Sequence, residues 1–157
     1  MKKINLDEIA AYNRHVNYYN KRLDEELAAR GRKKSENSLK KADAEIAYLR
    51  EAKADNAKRL AALMAEADEA KKLAADGGEI VLAYKWLDDY GRDDSEVERS
   101  LWNSVEEAEA VYKEMKDGNG GYIEAWIEVR NAGEFDRLRK IKAEIERLEA
   151  ELKEIED

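Results

Sequence analysis

The sequence predicts an α+β fold: a long antiparallel helical hairpin, extended by a last helix into a three-helix coiled-coil arrangement, with a small ββαβ module inserted before that helix. Two changes of period carry this expectation. Apolar residues recur at three- and four-residue steps through 6–30, 36–75 and 133–157. Between 79 and 130 the period changes to two, and that stretch also holds all three tryptophans. A charged fraction of 42 % with no proline agrees with long solvated helices.

The first helix is expected from about 6 to 30. Asn5 followed by Glu8 forms a capping box, and Ile9, Tyr12, Val16, Tyr19 and Leu23 form one stripe. Gly31 is a natural stop. After a polar, basic turn, Ser35 or Ser38 caps a second helix predicted over 36–75. Leu39, Ile46, Lys53, Leu60, Ala67 and Ala74 at a, with Ala42, Leu49, Asn56, Leu63 and Ala70 at d, give a heptad frame with two polar interruptions, Lys53 and Asn56. Such a helix is roughly 60 Å long, so the first helix covers about half its seam. Asp76-Gly77-Gly78 closes this helical domain, residues 1–78.

The module is predicted over 79–132. Ile80 to Leu87 reads as a strand, Asp89 to Asp94 as a turn-rich loop, and Glu96 to Asn103 as a second strand. Ser104 with Glu107 opens a helix that buries Val105, Ala108, Val111, Tyr112 and Met115. Asp117 to Gly121 ends it. In the third strand Ile123, Ala125, Ile127 and Val129 face that helix, while Tyr122, Glu124, Trp126, Glu128 and Arg130 face away.

The final segment, 133–157, carries an uninterrupted heptad seam of Leu138, Ile145 and Leu152 at a with Ile141, Leu148 and Ile155 at d. It is expected to fold back along the long helix. The alternative is that it pairs with its own copy.

The net charge of −8 is unevenly spread. Residues 1–78 carry 17 basic and 14 acidic side chains, 79–133 carry 6 and 14, and 134–157 carry 6 and 9. The absence of cysteine excludes disulfides and thiolate metal sites. No apolar run resembles a signal peptide or a membrane span, so a cytoplasmic, soluble protein with no membrane partner is expected.

Catalysis is not expected. The single histidine, His15, reads as a solvated helix residue, and no nucleophile–base arrangement is evident. No catalytic residue, metal ligand or cofactor is assigned. Gly118-Asn119-Gly120-Gly121 follows a helix and precedes a strand, the reverse of a phosphate cradle.

The expected function is a non-catalytic protein-interaction or inhibitor protein whose acidic module binds a partner with a basic surface. The partner-binding residues assigned are Trp126, Tyr122, Glu124, Glu128, Trp86, Trp102, Asp88, Asp89, Asp93 and Asp94. In size, acidity and lack of cysteine the chain is similar to inhibitors encoded by phages and mobile elements, anti-CRISPR proteins among them. That similarity is one of build and not of motif, and it implies a nucleic-acid-handling enzyme as target.

Arg30, Arg32, Lys33 and Lys34 are candidate phosphate contacts, weighed against a solvated turn because no aromatics interleave them. Direct nucleic-acid binding is therefore the lesser expectation. Two other readings stay open: a structural homo-oligomer through the C-terminal seam, and a metal-ion or enzymatic protein using the aspartate loop. That loop lacks the glycine and glutamate of an EF-hand.

Overall fold

The computed structural model describes residues 1–87 and 96–157. Along the chain these form β1 (Lys2–Ile4), α1 (Leu6–Arg30), α2 (Glu36–Ala75), β2 (Glu79–Trp86), β3 (Glu98–Trp102), α3 (Val105–Asn119), a short 3-10 turn (Gly120–Tyr122), β4 (Ile123–Arg130) and α4 (Glu134–Glu156). The α+β class with long helices is as expected, and α1 and α2 start and stop where their caps place them. The chain divides into two compact units, residues 5–66 and residues 1–4 with 67–157. The division falls inside α2, with β1 and the last turns of α2 grouped with the sheet.

In the unit of residues 5–66, α1 and α2 run antiparallel. Arg59 meets Glu8 at 3.1 Å, His15 Nδ1 lies 3.2 Å from Asn56 Oδ1, and Arg30 meets Asp43 at 2.6 Å. Residues ascending α1 thus pair with residues descending α2. Leu23, Ile46 and Leu49 form the buried cluster, with Tyr19 packed against it. The Glu8 amide donates to Asn5 Oδ1 at 3.1 Å, and the Ser38 amide donates to Ser35 Oγ at 3.1 Å, so both predicted caps satisfy helix-start amides.

The other unit is built on a four-stranded antiparallel sheet of order β1-β4-β2-β3. The sequence predicts three strands. The fourth, β1, is only three residues long, and Ile4 pairs with Ile127 across more than a hundred residues of chain. So short a strand has no period of its own to read. Its effect is large, because β4 becomes an interior strand flanked on both sides. Ile123, Ala125, Ile127 and Val129 are buried, and α3 packs against β4 and β2. Ser104 caps α3 by accepting the Glu107 amide at 3.1 Å.

The junction from α2 into β2 requires two glycines. Gly77, with φ +96°, takes the left-handed position of a helix end, and its amide bonds Ala74 at 3.1 Å while that of Gly78 bonds Leu73 at 2.9 Å. A Cβ on Gly78 would sit 2.8 Å from both the Leu73 and the Arg130 carbonyl oxygens. Side-chain volume there is excluded by backbone on two sides.

The start of α4 is tied to the sheet. The Gly133 amide donates to the Glu79 carboxylate, and Arg130 Nη1 reaches Glu134 at 3.4 Å. Carboxylates at a helix N-terminus answer the free amides and the positive end of the dipole. Phe135 is buried in the first turn. Beyond it, the seam expected to pack back on the long helix is uncovered. Leu138, Ile141, Ile145, Leu148, Leu152 and Ile155 are 41 to 82 % exposed. A heptad seam states what a helix is able to bury, whereas the ties at its root fix where the helix points.

Candidate functional site

Two features adjoin at the root of α4: a buried charge cluster in the sheet and a cleft beside it. The cluster centres on Glu128, 1 % exposed in the middle of β4. Arg99 on β3 donates to it through Nε and Nη2 at 3.1 and 3.4 Å. Arg130 donates through Nη2 and Nε at 2.7 and 3.2 Å, and the Trp126 indole N–H donates at 2.9 Å. A buried carboxylate is tolerated only when paired and hydrogen-bonded, and here five donors from three side chains surround two oxygens. Burial pushes the Glu128 carboxyl upwards, but the hydrogen bonds from Arg99, Trp126 and Arg130 outweigh it and hold the group below its ordinary value.

Arg99 bridges the two features, since its guanidinium binds Glu128 while the residue also lines the cleft. The cleft has a volume of about 790 Å³. Glu96, Val97, Glu98 and Arg99 line one side, and Phe135, Leu138, Ile141 and Ile145 of α4 line the other together with Arg139 and Lys142. From it the exposed seam continues along α4 to Ile155. The arrangement has an apolar stripe edged by charges of both signs, with the Arg99 guanidinium held by Glu128.

The residues assigned from sequence fall in several places. Trp126 is 8 % exposed and is not part of an open aromatic face. Its indole is bound to Glu128, and Lys3 Nζ stands 5.1 Å from the ring centroid with Lys85 Nζ at 6.0 Å. Glu128, assigned to a partner-facing surface, is likewise buried. Both corrections have one cause, the placement of β4 between β1 and β2.

Glu124 is half-buried and lies 3.6 Å from Lys85, and Trp102 is half-buried with its indole donating to Ser100 at 2.8 Å. Trp86 and Tyr122 are exposed at one end of the sheet, where the Leu87 amide bonds the Tyr122 carbonyl. Asp88, Asp89, Asp93 and Asp94 lie outside the described residues, and so does the loop on which a metal-ion reading rests. Of the candidate phosphate contacts, Arg30 is engaged by Asp43, while Arg32, Lys33 and Lys34 are exposed at the α1–α2 turn.

Arg99 and Phe135 were not singled out by sequence reasoning. A lone arginine in a strand and one aromatic before a heptad carry no periodic signal, whereas the seam itself was the strongest in the chain.

Among the described residues, no helix is long and apolar enough to cross a membrane. No family model matches the chain, and comparison with curated proteins and with solved structures finds no match.

Proposed function

We propose that this is a non-catalytic interaction protein that docks an amphipathic helix of a protein partner along the seam of α4. The observation that carries this reading is the row of six leucine and isoleucine side chains, 41 to 82 % exposed, on a helix whose root is tied to a sheet. Covering half-exposed aliphatic side chains contributes on the order of 1 kcal/mol each, enough for six to drive association once ordering costs are met. Helix-on-helix recognition through i, i+3, i+4, i+7 anchors is the mode that fits such a surface.

The test is capture of the protein's partner by Ile145→Asp combined with Leu148→Asp. Capture should fall at least about tenfold, the equivalent of ~1.4 kcal/mol, while helical circular dichroism is unchanged. Undiminished capture by a folded double variant overturns the reading.

A second reading, an inhibitor that occupies a basic protein surface with its acidic module, takes its support from the 14 acidic against 6 basic side chains of residues 79–133. It expects the opposite outcome: capture survives the seam variant and weakens as salt screens the charges.

A further inference from the structure

We infer that the helix docked on α4 is the α4 of a second copy, lying antiparallel, with Ile145 of each chain opposite Leu148 of the other. This rests on the docking reading above and names the occupant. Three features of α4 point to it.

The first is charge segregation. Residues 137–142 carry Arg137, Arg139, Lys140 and Lys142 and no acid. Residues 149–157 carry Glu149, Glu151, Glu154, Glu156 and Asp157 against the single Lys153. Antiparallel pairing lays each basic segment on an acidic one, twice over. Parallel pairing lays like on like. The segregation is not explained by the helix itself, because the macrodipole favours cations, not carboxylates, in the last turns.

The second is the charge at the positions flanking the seam. With Leu138, Ile145 and Leu152 at a, the e positions are Lys142, Glu149 and Glu156, and the g positions are Arg137, Glu144 and Glu151. In a parallel pair each g faces the next e of its neighbour, so Arg137 opposes Lys142, Glu144 opposes Glu149 and Glu151 opposes Glu156. All three pairs repel. In the antiparallel pair e faces e, and Lys142 of each copy meets Glu149 of the other, so the contact is made twice. The g side then brings Glu144 towards Glu151, but each of these is already bridged by its own Arg147, whose Nε lies 3.1 Å from Glu144 and Nη1 2.6 Å from Glu151.

The third is the seam. Antiparallel alignment sets Leu138 against Ile155, Ile141 against Leu152 and Ile145 against Leu148 of the second copy. Every layer then joins one leucine to one isoleucine, so the layers match in volume. The parallel alternative stacks identical residues, and only its middle heptad has the isoleucine-at-a, leucine-at-d order that favours parallel dimers. The antiparallel geometry also brings the tip of each α4 over the other's cleft, whose lining holds Arg99, Arg139 and Lys142 alongside Glu96 and Glu98.

The experiment is light scattering and sedimentation of the full chain across roughly a hundredfold concentration range, since a dimer dissociates by mass action. A dimer is expected. Lys142→Glu should weaken it roughly tenfold, as should Glu149→Lys, and the double exchange K142E/E149K should recover the original affinity. In a parallel dimer Lys142 faces Arg137, so Lys142→Glu would tighten it; that result overturns the antiparallel arrangement.

The chain has no cysteine, so Leu138→Cys mixed with Ile155→Cys reports orientation independently. A mixed disulfide is expected, and preferential Leu138→Cys self-cross-linking overturns the proposal. A monomer at every concentration overturns the second copy as occupant. If Ile145→Asp with Leu148→Asp then still abolishes capture of a different protein, the docking reading survives; if capture is untouched, both fall.

Discussion

At the scale of single residues, Glu128 shows how the sheet turns an unfavourable group into a structural one. Its carboxylate has left water, which is costly, and it is held by hydrogen bonds from Arg99, Arg130 and Trp126. Glu128→Gln removes the nearer and buried counter-charge of Arg130, only 9 % exposed, leaving it Glu134 at 3.4 Å. The expected loss is about 2–4 kcal/mol in denaturant unfolding of the sheet unit.

The pH dependence follows from the direction of the shift. The folded-state carboxyl is held below its value of 4.5 in the unfolded chain, so protons prefer the unfolded state. This stability is fully present above the unfolded value and is lost as pH falls through the ordinary carboxylate range towards the folded value. A melting series between about pH 6 and pH 3 should show a shallower acid decline in Glu128→Gln than in the parent chain. Equal declines would remove Glu128 as the cause. Alternation alone put Glu128 and Trp126 on the face away from α3. It did not reveal that they are buried, because that depends on strands paired from elsewhere in the chain.

At the scale of elements, local chemistry was legible. Asn5, Ser35 and Ser104 cap the helices they precede, and β2 and β4 lie where the two-residue period ran. Each of these depends on groups a few residues apart. The seam of α4 was also plain, but its state was not. The sequence leaves it either folded back along the long helix or paired with a copy of itself, and within the chain its six side chains are exposed. That exposure has a measurable consequence. Ile145→Asp with Leu148→Asp, assayed at dilution where the chain is monomeric, should shift unfolding by no more than about 1 kcal/mol, the cost of aspartate in an exposed helix. A seam packed inside the molecule would lose several kcal/mol, and a loss of that size would contradict the exposed seam.

At the scale of the whole molecule, segments more than a hundred residues apart meet in one sheet. β1 comes from the first four residues, its partner β4 from residues 123–130, and the Lys2 ammonium reaches Glu69 of α2 at 2.8 Å. Ile4 is 1 % exposed opposite Ile127, so a three-residue strand carries a fully buried side chain. Ile4→Ala should cost roughly 2–4 kcal/mol, read as a lower melting temperature of the sheet signal in circular dichroism. A change no larger than that of an exposed substitution would show that β1 is dispensable.

The amino-acid sequence by itself determined the helices and the three longer strands, their caps and stops, the acidity of the central module and the existence of an apolar seam on α4. All of these arise from interactions between residues close in sequence, or from period alone. Only the tertiary structure decided that β1 flanks β4, that Glu128 and Trp126 are enclosed, that Arg99 joins a charge cluster to a cleft, and that the α4 seam is left open. Those outcomes depend on which distant segments win each other's surfaces, and that choice is made by packing and pairing energies summed over the folded chain.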